Sequence, residues 1–238
     1  MPHLFIIPAR QGSVGIPGKN VKLFHGRPLY EWAVLMAESF HGKSRVCIST
    51  NDPKIVDSKF VSNRLVVERP EELSGSEILD QPVLEHALKT MSDKFSETYE
   101  TVVMLQPTAP GRTLVEVDSC IESVSLFGHS AAWTVSRVEP KYNPFKQFFV
   151  DDFGRPQIAV SHELPLRRQD LKESFIRNGN CYVMKPQTIL SDIFLLGEAP
   201  TFHISEQPSI NIDTEADFSE AEFLLKPDKE FKKLLWKE

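Results

Sequence analysis

Arg10, Gly12, Ser13, Gly15, Gly18, Lys19 and Asn20 crowd into one short stretch, PARQGSVGIPGKN, directly after the apolar run Leu4-Phe5-Ile6-Ile7. Glycines let a backbone come close to a ligand, and successive backbone N–H groups can cradle an anion. Arg10 and Lys19 add two positive charges to that cradle. The chemistry such residues offer is phosphate binding, and on these residues alone a ligand-free glycine-rich turn between strand and helix stays open as the alternative. Two familiar phosphate motifs do not fit. In a Walker A loop built on Gly18-Lys19, the first glycine position falls on Ser13 and the hydroxyl position on Asn20; the dinucleotide fingerprint needs G-x-G-x-x-G, whereas Gly12, Gly15 and Gly18 give G-x-x-G-x-x-G.

The elements that must position this loop are legible around it. Leu4–Ile7 reads as a buried strand stopped by Pro8. A turn at His25-Gly26-Arg27 leads to Pro28, suited to a first helical position, and an amphipathic helix through Leu29, Trp32, Ala33, Leu35, Met36 and Phe40. Val46–Ile48 is the next strand. Asn51-Asp52-Pro53 opens a helix near Ile55-Val56, and Leu65–Val67 is a third strand. The order β-loop-α-β-α-β argues a parallel sheet with right-handed crossovers. Arg69 falls just past the third strand, where open α/β sheets bind ligands. A helix follows through Val83, Leu84, Ala87, Leu88 and Met91, then a fourth strand, Val102–Leu105, apolar throughout and so buried on both faces. Gln106 ends it. Thr113 is placed to cap a helix through Val117, Cys120, Ile121 and Val124, and Ala131–Val135 is a fifth strand.

From Glu139 to Arg177 the periodicity changes. Prolines 140, 144, 156 and 165 break it, and Asp151-Asp152-Phe153-Gly154 reads as a hairpin turn. The segment is rich in aromatics, so it is an excursion that packs against something. Beyond it a short helix is expected near Thr188–Leu190 and a strand over Thr201–Ser205. Thr214 and Asp217 can cap a helix from Phe218 to Leu225, ended by Pro227, and the charged tail carries Phe231, Leu234, Leu235 and Trp236 at helical spacing.

The bulk properties narrow the function classes. Net charge is −6, which disfavours non-specific nucleic-acid binding but leaves room for a local basic pocket. Hydrophobic content of 41% and charged content of 25% are those of an ordinary globular chain of 238 residues. Cys47, Cys120 and Cys181 are scattered, which fits buried free thiols in a reducing compartment. Neither a leader pattern nor an apolar run long enough to span a bilayer is visible, so no membrane association is expected and the chain reads as cytoplasmic, with a nuclear address left open.

PARQGSVGIPGKN resembles the signature P-A-R-x-G-S-x-G-[IL]-P-x-K-N of the acylneuraminate cytidylyltransferases, the enzymes similar to CMP-sialic acid synthetase. The resemblance continues through Arg69-Pro70, Gln106-Pro107-Thr108, Asn178-Gly179 and Ile210-Asn211-Ile212-Asp213-Thr214. It implies a Rossmann-like nucleotidyltransferase fold of the nucleotide-diphospho-sugar transferase type. That fold is a three-layer α/β/α domain with a mostly parallel sheet, here spanning 1–238, with 139–177 an inserted dimerisation and acceptor-site arm. It implies a homodimer that uses CTP and an acid sugar, with Mg2+ as cofactor. Carried over residue by residue, it assigns Ala9, Arg10, Gly12, Ser13, Lys19, Asn20 and Arg69 to the nucleotide. Gln106, Lys146, Arg168 and Gln169 go to the sugar, Lys19 and Arg10 to transition-state charge, and Asp213 to the metal. Asn211 stands where the family has aspartate and offers only a neutral carbonyl oxygen, a poorer ligand for a hard cation. Ala109 and Gly111 depart from the family pattern and are expected to alter the acceptor pocket; Asn180 stands where a small residue is usual. The reaction implied is transfer of CMP from CTP to the anomeric hydroxyl of a 2-keto-3-deoxy acid sugar. A deoxyoctulosonate is the rival acceptor, and a catalytically weak nucleotide-binding protein the rival of another class.

Overall fold

Leu4, Phe5, Ile6 and Ile7 are all fully buried, and their alternation decides the layering. Successive strand side chains point to opposite faces. Leu4 and Ile6 join one core with Leu84, Ala87 and Met91, while Phe5 and Ile7 join another with Ala33, Ala37, Val117 and Ile121. A strand apolar on both faces is therefore sandwiched between helices. The computed structural model describes residues 1–13, 15–61, 64–160, 171–191, 193, 196–207 and 210–225.

In chain order the elements are β1 (His3–Pro8), β2 (Leu23–Phe24), β3 (Arg27–Pro28), α1 (Leu29–Glu38), β4 (Ser44–Thr50), α2 (Pro53–Val56), β5 (Leu65–Glu68), α3 (Asp80–Phe95), β6 (Val102–Met104) and α4 (Leu114–Ser125). Then come β7 (Ala131–Arg137), β8 (Phe148–Val150), β9 (Pro156–Ile158), β10 (Phe175–Met184), α5 (Pro186–Ile189), β11 (Pro200–Ile204) and α6 (Glu215–Leu224). The central sheet has seven strands in the order β11-β7-β10-β6-β1-β4-β5. The pairs β1–β4, β1–β6, β4–β5 and β7–β11 are parallel, and β10 runs antiparallel to both its neighbours. From β1 the chain winds outward through β4 to β5, then returns to place β6 on the other side of β1. The strand order reverses there, and such a switch point leaves a crevice at the strands' carboxyl ends.

Caps fix the helices that border this crevice. Thr113 caps α4 and Thr214 caps α6, each in a reciprocal capping box, with Glu116 and Asp217 respectively. A third apolar cluster, with Ile16, Phe24, Trp32, Ile212 and Phe218, packs the glycine loop, the β2–β3 hairpin and α6 together. The expected hairpin at Asp151–Gly154 is β8–β9. The excursion is shorter than the sequence implied at its far end, because Phe175, Ile176 and Arg177 pair with β7 in the central sheet. Cys47, Cys120 and Cys181 are free and buried, and burial pushes the Cys47 thiol up to about 12. They are core residues rather than reactive ones.

Candidate active site

At the switch point lies a cavity of about 450 Å³, to which Arg10, Lys19 and Arg69 contribute cations. Gly18, at φ 66°, turns the chain into a short 3-10 turn that carries Lys19 and Asn20. Lys19 Nζ donates to the Ile212 carbonyl at 2.7 Å and lies 3.2 Å from Asp213 Oδ1. The lysine side chain is 11% exposed and that of Asp213 66%, so the ammonium is set into the wall and the carboxylate faces out. The two segments touch through backbone. A Cβ on Gly15 would stand 2.1 Å from the Asp213 carbonyl oxygen, so no larger residue fits there without moving one of them.

The segment carrying Asp213 is itself anchored. Ile212 N–H donates to the Thr108 carbonyl at 2.8 Å, tying it to the loop after β6. Asp217 Oδ2 accepts from the N–H groups of Thr214 and Asp213, which hold its carboxyl below the ordinary aspartate range. Capping is thus done by Thr214 and Asp217, and the Asp213 carboxylate is left for the cavity.

The loop after β1 is held from below. Thr50 Oγ1 donates to the Ala9 carbonyl at 2.6 Å, Gln11 N–H donates to Asn51 Oδ1 at 2.8 Å, and the buried Asn20 donates from Nδ2 to the Arg10 carbonyl at 2.9 Å. Arg10 Nη1 folds back to the Gly12 carbonyl at 2.8 Å. Among the described residues no acceptor meets the N–H groups of Gly12, Ser13 and Gly15, which leaves backbone donors for an anion. On the β5 side, Arg69 is 7% exposed and donates to Ser49 from Nε at 3.2 Å and from Nη2 at 3.0 Å. Burial lowers its guanidinium to about 10, opposed by Asp80, so it stays charged at neutral pH.

Arg10, Ser13, Lys19, Asn20, Arg69, Gln106 and Asp213, all expected from the sequence, line this one cavity. Ala9 does not: it is fully buried, and its carbonyl and N–H are spent on β4, so it supports the loop instead of touching a ligand. Gly12 does not line it either and serves as the acceptor for Arg10. Asn211 lines a neighbouring cavity of about 600 Å³ together with Arg177, and its Nδ2 donates to Asp213 Oδ2 at 3.1 Å. Lys146 is exposed on the excursion and lines neither cavity. Arg168 and Gln169 lie outside the described residues. Ala109 and Gly111 do not shape these cavities: Ala109 is fully buried, and a Cβ on Gly111 would meet Leu225 Cδ2 at 3.0 Å.

Sequence reasoning missed Asp80, Arg177 and the placement of Arg112. Asp80 lines the main cavity beside Arg69. Arg112 lies 3% exposed beneath the site and donates from Nε to the Asn180 carbonyl at 2.7 Å and from Nη2 to the Gln106 carbonyl. Asn180, unusual for its position, donates from Nδ2 to Glu116 Oε1 at 3.2 Å, so its amide belongs to the same buried network.

A family model described as Cytidylyltransferase matches residues 4–116. An N-acylneuraminate cytidylyltransferase of Streptococcus agalactiae is 26% identical over 221 residues, covering 92% of this chain and 52% of that protein. The chain thus spans about half the length of that relative. A CMP-N,N'-diacetyllegionaminic acid synthase of Legionella pneumophila is 26% identical over 238 residues, covering 97% of this chain and 99% of that one. Among solved structures, a CMP:2-keto-3-deoxy-manno-octonic acid synthetase complexed with CTP superimposes with a TM-score of 0.68 at 14% identity, covering 94% of this chain and 98% of that one. The chain resembles the acylneuraminate cytidylyltransferases, and its fold is that of the nucleotide-diphospho-sugar type nucleotidyltransferases.

Proposed function

We propose that this protein transfers CMP from CTP to the anomeric hydroxyl of a sialic-acid-like 2-keto-3-deoxy sugar and releases pyrophosphate. One observation carries the reading: three cations, the Ser13 and Gly15 loop with uncommitted backbone N–H groups, and the Asp213 carboxylate line one cavity at the sheet's switch point. Nucleotidyl transfer asks for such an arrangement, since the work is to hold the triphosphate, neutralise it and align the nucleophile. The sugar hydroxyl attacks the α-phosphorus and gives up its proton to solvent, a new P–O bond forms, the bond to the β-phosphate breaks, and pyrophosphate leaves with the electron pair. Lys19 and Arg10 stabilise the charge that develops on the α-phosphate and the departing group, so no protein nucleophile is needed. The names of the relatives support CTP as donor and an acid sugar as acceptor. A pyrophosphate-release assay with CTP tests the reading. A panel of nonulosonic acids and deoxyoctulosonate separates the proposed acceptor class from its rival. Release with none of them would favour a protein that binds nucleotide without turning it over.

The donor set fits magnesium of the kind completed by substrate phosphates. Among the described residues no group of three His, Cys, Asp or Glu side chains could hold a metal alone, while Asp213 presents one outward-facing carboxylate at the cavity. One carboxylate with phosphates and waters is an ordinary magnesium set. Such an ion, held by Asp213 beside the phosphates, supplies Lewis-acid charge neutralisation. Asn211 beside it is a neutral amide, so Asn211→Asp is expected to lower the magnesium concentration needed for half-maximal pyrophosphate release. Superimposable magnesium profiles would remove any metal role for position 211.

A cytoplasmic homodimer completes the proposal. The free buried thiols support a reducing compartment. The β8–β9 hairpin supports a partner surface: Phe149 is 69%, Val150 71% and Phe153 79% exposed, an apolar patch of the kind that marks interaction sites. Phe149→Glu with Phe153→Glu is expected to convert a dimer into a monomer by sedimentation, and a wild-type monomer would contradict this part.

A further inference from the structure

The cavity's nucleotide reading leaves one residue without a task. Asp80 opens α3 and lines the same cavity as Arg69, to which Ile78 and Val83 also contribute. A carboxylate repels phosphates, so its presence in an anion-binding cavity calls for a separate reason. Its capping role is not that reason, because the N-cap of α3 is Leu79 and no side chain caps this helix end. Its one hydrogen bond among the described residues comes from Gln106 Nε2 at a long 3.4 Å, and none of the ion pairs among them involves it. Burial pushes its carboxyl above the ordinary aspartate range, with Arg69 and Arg177 pulling it back. Asp80 is therefore an acceptor in want of a donor.

Arg69 beside it is the converse. Two of its five N–H donors are held by Ser49, and the rest are uncommitted among the described residues. A ring in this part of the cavity would meet guanidinium donors and a carboxylate acceptor. Cytosine presents the complement on one edge: the O2 and N3 acceptors adjoin the exocyclic 4-amino donor. Uracil carries an acceptor, O4, in place of that amine, and a carboxylate facing it has no proton to share.

Building on the nucleotide-transfer reading above, we infer that Asp80 accepts a hydrogen bond from the 4-amino group of the bound cytosine and so selects CTP over UTP. Calorimetric titration with each nucleotide in the presence of magnesium tests this. Wild type is expected to prefer CTP. In Asp80→Asn, whose amide can also donate to O4, that preference should fall at least about tenfold, as expected when one base-reading contact is lost. Asp80→Ala should lose the preference as well. A substrate-side counterpart avoids mutation altogether: the triphosphate of 2-pyrimidinone riboside, which keeps O2 and N3 but lacks the amine, should bind wild type at least about tenfold more weakly than CTP. A wild type that prefers CTP, with both variants keeping that preference or with the amine-free analogue binding as tightly, overturns the inference alone. A wild type that binds neither CTP nor UTP removes the nucleotide-transfer reading and this inference with it.

Discussion

Lys19→Ala is expected to cut pyrophosphate release at least about a hundredfold while the protein stays folded. Loss of one preorganised donor aimed at developing negative charge costs roughly 2.7–4 kcal/mol of transition-state stabilisation. Stability should change far less. The contact that Lys19 makes with Asp213 has one partner 66% exposed, and exposed ion pairs contribute about 0–1 kcal/mol. The bond to the Ile212 carbonyl adds a similar amount, roughly 1 kcal/mol. Turnover and melting therefore separate the functional role from a structural one. A variant that keeps turnover within a fewfold of wild type would take Lys19 out of the chemistry. A variant that loses activity only because it melts far lower would make Lys19 a fastener of the Asp213 segment.

Arg112→Ala should show the opposite pattern, a large loss of stability. Arg112 is buried, and burial lowers its guanidinium to about 10, with Glu116 among the charges that oppose the shift. Its removal leaves the carbonyls of Gln106 and Asn180 without their donor and Glu116 without that cation. Breaking a buried charged network by removing one member costs about 3–5 kcal/mol. For a chain of this size that is a fall in Tm of roughly 6–20 °C. Arg112→Lys keeps the charge but not the fork geometry and should lie between the two. A Tm within about 2 °C of wild type for Arg112→Ala, less than roughly 1 kcal/mol, would show that the network contributes little.

Much of this architecture could be read from residue order. The Leu4–Ile7 run, the glycine loop, the caps at Thr113 and Thr214 and the turn at Asp151–Gly154 all fall where local chemistry places them. Strand pairing could not be read in the same way. Residue order says nothing about the insertion of β10, antiparallel, between β6 and β7, or about the irregularity between Arg177 and Tyr182 around Gly179 at φ 80°. The cavity's lining was legible where a motif carried it: Lys19, Asn20 and Asp213 all face it. Asp80 was not, because a charged residue in a polar stretch gives no sign that folding will set it in a cavity beside Arg69, and the buried bonds of Arg112 to the Gln106 and Asn180 carbonyls could not be read from residue order either. Ala9, expected at the nucleotide, is placed by folding in the core, with its carbonyl accepting from β4's Thr50.

The central claim is that the loop after β1 grips a nucleoside triphosphate across from Asp213. Its most direct test is a crystal structure of the protein soaked with CTP. The account predicts the triphosphate against the backbone of Ser13 and Gly15, with Lys19 within hydrogen-bonding distance of a phosphate oxygen. Nucleotide bound elsewhere, with Lys19 still donating to the Ile212 carbonyl and the loop empty, would contradict it.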